Sequence, residues 1–276
     1  MKMIGFMEML NTIASSLLSV KKKSPLVHQI TNYVTVNDCA NVTLAIGGSP
    51  VMADDLAEAA EMAALAQALV LNIGTLNART IASMLAAGKT ARKRGIPVIL
   101  DPVGIGATKL RTDTVKTIIE EVCPTVIRGN MSEIKCLAGF DVEIKGVDSI
   151  ADERQGALVA RTLAKRLKCI IAITGKQDFV SDGTRTTLID NGHELLSKVS
   201  GTGCMTSALV GAYCGAMQDW YVGTIAGILT MGLAGEIAKH SLVPGDGIGM
   251  FKVRLFDAIC NLSPENIRMQ GRLSCE

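Results

Sequence analysis

Short runs of apolar and β-branched residues recur along the first two thirds of the chain, as is typical of strands buried on both faces of a parallel sheet. The runs lie at residues 68–73, 97–100, 124–127 and 169–173. Between them, apolar residues three and four positions apart predict amphipathic helices. These helices are expected at residues 55–67, 77–94, 111–122 and 151–168. The alternation predicts βαβ units and an α/β fold with a mostly parallel sheet.

The pattern changes in the last part of the chain. Two β-branched segments, residues 179–180 and 186–189, flank an Asp182-Gly183 turn and predict a hairpin. The longest apolar run, residues 221–235, is short and rich in glycine for a membrane span, so we expect a buried helix there. No repeat or linker interrupts the pattern, and residues 1–276 are expected to form a single domain.

Composition narrows the class of protein. With 48% hydrophobic but only 3% aromatic residues, the core must consist mainly of aliphatic side chains, which suits helices packed on a sheet. The 28 basic and 26 acidic residues are dispersed, so neither a nucleic-acid-binding nor a membrane-binding surface is expected. The eight cysteines form no CxxC pair, which indicates reduced thiols in a cytoplasmic protein and no structural zinc site.

Polar residues follow each of the four predicted strands, at the edge where parallel sheets bind ligands. They are Gly74-Thr75, Asp101-Pro102-Val103-Gly104, Arg128-Gly129-Asn130 with Glu133, and Thr174-Gly175-Lys176. Asp101 and Glu133 are candidate Mg²⁺ residues, binding through water. Taken singly, Asp101 is better explained as a turn residue before proline, and Glu133 as a favourable charge at a helix start. Their places on adjacent strand ends bring the metal interpretation level with these alternatives.

A glycine-rich turn at residues 199–204 runs directly into an alanine-rich helical pattern. Free N–H groups at such a helix start bind anions, and glycines allow the backbone to approach a phosphate. The candidate catalytic residues are Gly201, Thr202, Gly203 and Cys204, although an ordinary helix cap has the same pattern. Cys204 lies in the first helical turn, where the pKa of a thiol tends to fall, so it is a candidate base; the alternative is a small buried hydrophobic residue.

Four motifs, in this order, resemble the ribokinase-like superfamily: Asp101-Pro-Val-Gly, Gly129-Asn130-x-x-Glu133, Thr174-Gly175-Lys176 and Gly201-Thr-Gly-Cys204. Three N-terminal blocks narrow the resemblance to the hydroxyethylthiazole kinases of thiamine biosynthesis. These blocks are His28-Gln-Ile-Thr-Asn32-Tyr-Val-Thr-Val-Asn37, Gly47-Gly-Ser-Pro-Val-Met52-Ala and Leu71-Asn-Ile-Gly74-Thr-Leu. The similarity covers roughly residues 24 to 262.

The resemblance implies a three-layer αβα fold without a separate lid domain. It also implies Mg²⁺-dependent transfer of the ATP γ-phosphate to the primary hydroxyl of 5-(2-hydroxyethyl)-4-methylthiazole, in a homotrimer with pockets near the subunit boundaries. The implied thiazole-site residues are Met52, Gly201, Asn32 and Cys204, the ATP-site residues are Arg128, Thr174 and Asn130, and the metal residues are Asp101 and Glu133.

Other activities remain open at this point. Hydroxymethylpyrimidine and pyridoxal kinases of the same superfamily carry a similar glycine-rich turn, but the N-terminal blocks argue against them. A nucleotide-dependent hydrate dehydratase, which is a lyase, is expected to have Asp at position 204, and many sugar kinases of the superfamily do. A non-catalytic thiazole or nucleotide sensor is a further alternative. Because phosphoryl transfer has a loose transition state that needs positioning more than a strong base, Cys204 can orient the hydroxyl without accepting its proton.

Overall fold

The computed structural model of the chain describes residues 2–139 and 153–275. The strands in these residues form one nine-stranded sheet. They are β1 Leu26–Ile30, β2 Ser49–Val51, β3 Ala68–Asn72, β4 Val98–Asp101, β5 Val126–Asn130, β6 Ile170–Thr174, β7 Asp178–Ser181, β8 Thr186–Ile189 and β9 Leu273–Cys275. Their spatial order is β2-β1-β3-β4-β5-β6-β7-β8-β9, with parallel pairing from β2 to β6 and antiparallel pairing from β6 to β9.

Helices cover both faces of this sheet. They are α1 Lys2–Lys23, α2 Val36–Ile46, α3 Ala59–Leu65, α4 Ala78–Arg94, α5 Lys109–Val122, α6 Met131–Ala138, α7 Glu153–Leu167, α8 Thr202–Ala216, α9 Trp220–His240, α10 Ile248–Cys260 and α11 Pro264–Gln270, with a 3₁₀ helix at Glu194–Lys198. Strand side chains alternate between two cores, so that Val70 packs with α1, α2 and α8–α10 while Leu69 and Leu71 pack with α3–α7. The expected three-layer αβα fold is confirmed.

The four strands predicted from apolar runs and the predicted hairpin are all present. Strands β1 and β2 were not predicted. Polar His28 and Gln29 interrupt the apolar pattern of β1, yet both side chains are buried. Strand β9, near the C-terminus, is only three residues long and pairs with β8 across a separation that no local pattern reveals.

Helix α9 confirms the predicted buried helix. It is long and apolar enough to cross a membrane, but 89% of its most apolar 18-residue stretch is buried inside the protein. A helix that is apolar on all sides belongs in a core. Its close approach to α8 requires glycine at position 227, because a Cβ there would lie 2.6 Å from the backbone nitrogen of Val210. The tight α8–α9 pair supports the N-terminal end of α8, where the candidate site lies.

Candidate active site

The carboxyl ends of β3, β4, β5 and β6 lie side by side in register, so that Asn72 pairs with Asp101 and Asn130 pairs with Thr174. Arg111 of α5 fixes the loops that follow β3 and β4. Its Nη1 donates to the carbonyls of Ile73 at 2.9 Å and Val103 at 2.6 Å, and its Nη2 donates to the carbonyl of Gly74 at 2.7 Å. The predicted convergence of polar residues on one sheet edge is therefore present.

Asp101 lies at the centre of this edge and is fully buried. Its Oδ2 accepts hydrogen bonds from Asn72 Nδ2 at 2.9 Å and Ser207 Oγ at 2.8 Å, while its Oδ1 has no partner among the described residues. Burial raises the pKa of the Asp101 carboxyl, and the guanidinium of Arg128, 3.7 Å from Oδ2, opposes that shift. A buried carboxylate oxygen without a partner is suited to a ligand-borne cation or proton donor.

Glu133 is held by backbone N–H groups. Its Oε2 accepts from Asn130 N at 2.8 Å in a capping box at the start of α6, and its Oε1 accepts from Gly104 N at 2.9 Å. The helix-start interpretation of Glu133 is thus correct, and the same contacts leave lone pairs free on both oxygens. Its negative charge also contributes to the raised pKa of Asp101.

The pair fits a hydrated Mg²⁺. Asp101 Oδ1 is free of protein partners, and each Glu133 oxygen can still accept a hydrogen bond from a metal-bound water. Within residues 2–139 and 153–275 no group of three or more His, Cys, Asp or Glu side chains is arranged to hold a metal. The cation would therefore need phosphate and water oxygens to complete its coordination, as Mg²⁺ usually does.

A cavity of about 700 Å³ opens beside the ends of β5 and β6 and the start of α8. Arg128, Asn130 and Thr174 line it, as do Thr202 and Gly203. The other lining residues are Gly175, Lys176, Asp178, Asn191, Gly192, His193, Glu194, Leu196, Ser197, Thr206, Ile228, Met231 and Gly232. The structure thus brings together the three residues expected to bind ATP and the glycine-rich turn.

Arg128 is held against the start of α8. Its Nη2 donates to Thr174 Oγ1, and its Nε has no partner among the described residues. A Cβ at position 203 would lie 2.8 Å from Arg128 Nη1, so glycine is required there for the guanidinium to reach the helix N-terminus. A cation beside free helix N–H groups forms a strong site for phosphate.

The turn before α8 also depends on glycine. Gly201 has φ of 88°, in the left-handed region, and a Cβ on it would lie 2.4 Å from Thr35 Cγ2. Thr202 Oγ1 donates to the carbonyl of Leu196 at 2.8 Å, which ties the turn to the 3₁₀ helix. The backbone at the start of α8 is therefore fixed from both sides.

Cys204 is not among the residues that line the cavity, and it is half-buried against the core. Its Sγ accepts N–H groups from Asn32 Nδ2 at 3.3 Å and Asn72 Nδ2 at 3.2 Å. The expectation of a lowered thiol pKa was wrong: burial, followed by the charge of Asp101, raises the pKa of Cys204. Sequence reasoning recognised the helix start but not the desolvation or the neighbouring carboxylate.

Met52 directly follows the edge strand β2 and is half-buried against the core that contains α8. The next residue is anchored, because the carbonyl of Ala53 lies 2.6 Å from Nε2 of the buried His28. Burial lowers the pKa of His28, which favours a neutral ring donating to that carbonyl. The contact of Met52 with a thiazole stays a prediction.

Asp178, at the start of β7, was not predicted as a site residue. It lines the cavity, its Oδ1 accepts from Gly175 N at 2.9 Å, and burial raises its pKa to about 7. Asn72 and Ser207, the two hydrogen-bond donors to Asp101, were also missed as site residues. Asn72 stands inside the Leu71-Asn-Ile-Gly74 block and Ser207 in the helical pattern that follows the glycine-rich turn, and only the fold reveals their contact with Asp101.

Comparison with known proteins identifies the family. The model of the hydroxyethylthiazole kinase family matches residues 17–265. This chain belongs to the hydroxyethylthiazole kinase family. It is 53% identical over 268 residues to the hydroxyethylthiazole kinase of Alkaliphilus oremlandii, a match that covers 97% of this chain and 99% of that protein. It is 51% identical over 266 residues to the hydroxyethylthiazole kinase of Clostridium beijerinckii, a match that covers 95% of this chain and 96% of that protein.

Solved structures agree with this membership of the hydroxyethylthiazole kinase family. The hydroxyethylthiazole kinase of Pyrococcus horikoshii superposes with a TM-score of 0.85 at 37% identity, covering 96% of this chain and 99% of that one. A ribokinase-like superfamily protein from Enterococcus faecalis, at 10% identity and a TM-score of 0.60, shares the fold alone. The prediction of a kinase of this family, on a ribokinase-like fold, is confirmed.

Proposed function

We propose that the protein transfers the γ-phosphoryl group of ATP to the primary hydroxyl of 5-(2-hydroxyethyl)-4-methylthiazole. The hydroxyl oxygen forms a bond to the γ-phosphorus, the bond from that phosphorus to the β–γ bridging oxygen breaks, and ADP and the hydroxyl proton leave. One observation carries the proposal. The start of α8 carries both Gly203, which lines a cavity with an arginine, and Cys204, which belongs to a cluster of hydrogen-bonded polar side chains.

The cavity is the nucleotide side of this site. Arg128 and the N–H groups at the start of α8 supply positive charge to the phosphates, with Thr174 holding the guanidinium in place. Asn130 lines the same cavity. Asp101 and Glu133 would hold Mg²⁺ through water at the phosphate end, where the bound cation would neutralise phosphate charge.

The polar cluster around Cys204 is the acceptor side. Asn32 is buried and directs a carboxamide N–H at Cys204 Sγ, and Gly201 lies in the turn just before. Because the pKa of Cys204 is raised by burial, the thiol keeps its proton near neutral pH. This favours a Cys204 that orients the substrate hydroxyl over one that removes its proton. Met52 completes the acceptor side by the family pattern.

The proposal is tested by incubating the protein with Mg²⁺, ATP and one of three acceptors: hydroxyethylthiazole, hydroxymethylpyrimidine or pyridoxal. Product analysis by mass spectrometry is expected to find phosphorylated hydroxyethylthiazole and much less phosphorylated hydroxymethylpyrimidine or pyridoxal. Phosphorylation of the pyrimidine or pyridoxal alone would overturn the substrate assignment. ATP consumption with none of the three would point to another acceptor. Omitting Mg²⁺ in the presence of a chelator is expected to abolish product formation.

We also propose a cytoplasmic homotrimer. Large apolar side chains are exposed near the N-terminal site residues, with Tyr33 79% and Val34 61% exposed, and Leu44 and Leu56 more than half exposed. Exposed apolar side chains of this size are suited to a subunit interface. All eight cysteines are free, which suits a reducing compartment. Light scattering coupled to size-exclusion chromatography tests the trimer, and a monomer mass would contradict it.

A further inference from the structure

Asn72 is the last residue of β3, it is buried, and it faces Asp101 across the parallel pair β3–β4. Its Nδ2 donates to Asp101 Oδ2 at 2.9 Å and to Cys204 Sγ at 3.2 Å. A carboxamide nitrogen carries two hydrogens, so one is available for each acceptor. A single nitrogen thus links the carboxylate at the phosphate end to the sulfur on the acceptor side.

The orientation of this carboxamide is determined by its other atom. Asn72 Oδ1 accepts from Gly74 N at 2.9 Å and from Asn32 Nδ2 at 2.9 Å. Asn32 in turn uses its second N–H on Cys204 Sγ, and its Oδ1 accepts from the N–H and the hydroxyl of Thr35, both at 3.1 Å. Rotating either carboxamide by half a turn would place donors against donors.

The network determines where the Cys204 sulfur lies. Two N–H groups reach Sγ from two different elements, the segment after β1 and the end of β3, while the backbone of Cys204 belongs to α8. Thr35 also lies within hydrogen-bonding reach of this thiol, so three polar side chains surround the sulfur and hold it in place. A shift of about 1 Å in such a group is enough to slow a reaction substantially.

We propose that Asn72 is a positioning residue for the phosphoryl transfer, which sets the Cys204 sulfur at a fixed place relative to Asp101. The inference rests on the proposed function, since the acceptor hydroxyl is the group that the sulfur would orient. The competing explanation is that Asn72 only satisfies buried hydrogen bonds at the end of β3. The two explanations differ in whether the effect of Asn72 depends on Cys204.

A double-mutant cycle separates them. Asn72→Asp keeps the oxygen that faces Gly74 and Asn32 but removes the nitrogen between Asp101 and Cys204. We expect it to lower kcat about 10- to 100-fold while KM for both substrates stays within about threefold. Part of this loss comes from the new carboxylate beside Asp101, so in a Cys204→Ala background the same substitution should still lower kcat, but by a factor at least about fivefold smaller. An equal loss in both backgrounds would overturn the proposal.

The matched control is Asn77→Asp. Asn77 caps α4 by accepting from Thr80 N at 3.0 Å, a contact that Asp also makes, so kcat is expected to stay unchanged. Melting curves check that each variant is folded. If Asn72→Asp does not fold, Asn72→Ser replaces it in the cycle with the same expected dependence on Cys204.

A second measurement does not need the reaction. Alkylation of each cysteine by iodoacetamide, without metal or nucleotide, is followed by peptide-resolved mass spectrometry. Asn72→Asp should slow alkylation of Cys204 about fivefold or more, because the sulfur loses a donor and gains a nearby negative charge. The exposed Cys123 and Cys260 should react at unchanged rates.

The two measurements distinguish the two ways of failing. Slower alkylation of Cys204 with no thiazole phosphorylation by the wild type would leave the Asn72–Cys204 link standing and reject the proposed function. An active wild type in which Asn72→Asp leaves the alkylation rate of Cys204 unchanged would reject the positioning role alone.

Discussion

The proposed acceptor side and the proposed nucleotide side of the site are built differently. On the acceptor side, every N–H of the Asn32 and Asn72 carboxamides already has an acceptor before any substrate binds. On the nucleotide side, a cavity of about 700 Å³ is lined by Arg128, whose Nε has no partner among the described residues. One side is closed by hydrogen bonds, and the other is left open.

The difference follows from what each ligand brings. A small, nearly neutral thiazole alcohol cannot order its surroundings, so the polar groups that meet it must be fixed by the protein. ATP carries several negative charges, which can satisfy Arg128 and the start of α8 once it binds. Substitutions on the acceptor side should therefore lower kcat, and those on the nucleotide side should raise KM for ATP.

Asp101→Asn tests the point where the two sides meet and should have the largest effect. The substitution preserves shape but removes the negative charge that faces the proposed Mg²⁺ and the guanidinium of Arg128. We expect kcat to fall about 100-fold or more, the scale for loss of one preorganised electrostatic group. Steady-state kinetics at saturating ATP and thiazole, over a range of Mg²⁺ concentrations, measure the effect.

Its control is Asp113→Asn, which removes an exposed carboxylate paired with Lys109 within α5. Exposed pairs contribute little, so kcat should be unchanged. If Asp101→Asn retained more than about a tenth of the wild-type kcat, Asp101 would be a structural residue and the two sides would not meet there.

Thr174→Val tests the nucleotide side and should have a smaller effect. Valine keeps the shape of threonine but removes the oxygen that holds Arg128 Nη2. The guanidinium then loses its fixed direction, so KM for ATP should rise about three- to tenfold while KM for the thiazole and kcat change little. Initial rates with each substrate varied in turn separate these constants.

Thr187→Val is the matched control in strand β8, which β7 separates from β6. Thr187 Oγ1 lies 2.7 Å from the hydroxyl of Tyr221, and Thr187 does not line the cavity. The melting temperature should fall while KM for ATP does not change. A rise in KM for the thiazole in Thr174→Val would remove the division between the sides.

Much of the fold was predictable because β3, β4, β5 and β6 are short apolar runs separated by amphipathic helices. The site was predictable wherever chemistry coincides with local pattern, as at Asp101 after a strand and Gly201 before a helix. Neither pattern depends on distant parts of the chain. The ends of parallel strands share one edge, so their polar residues can be grouped before the structure is known.

What could not be predicted depends on contacts between distant segments. Asn72 and Cys204 are 132 positions apart in the sequence, and Asp101 and Ser207 are 106 apart. Motif spacing therefore cannot predict either contact. The direction of the Cys204 pKa was wrong for the same reason: a helix start is visible in sequence, but burial and a carboxylate on another strand are not. Strand β1 was missed because the buried polar residue His28 interrupts its apolar pattern.

Asp178→Asn tests the nucleotide side through protein stability and should have the smallest effect. Burial raises the pKa of this cavity carboxyl to about 7, above the value of about 3.9 for an unfolded chain. The unfolded state therefore releases this proton at lower pH than the folded state, and the wild type loses stability as pH rises from about 4 to about 7. The variant carries no such charge.

Thermal melts of the wild type and Asp178→Asn, taken at half-unit steps from pH 5 to pH 8, measure this linkage. The melting temperature of the variant minus that of the wild type should increase up to about pH 7 and then stay constant. It stops increasing because the loss of stability is complete once the carboxyl of the folded wild type is ionised. Asp182, in the same hairpin, has its pKa lowered by Arg185, and Asp182→Asn should instead lower the melting temperature at neutral pH. If the difference in melting temperature did not increase with pH, Asp178 would already be ionised in the folded protein at pH 5. The nucleotide side would then stabilise the Asp178 carboxylate, as Arg128 stabilises Asp101.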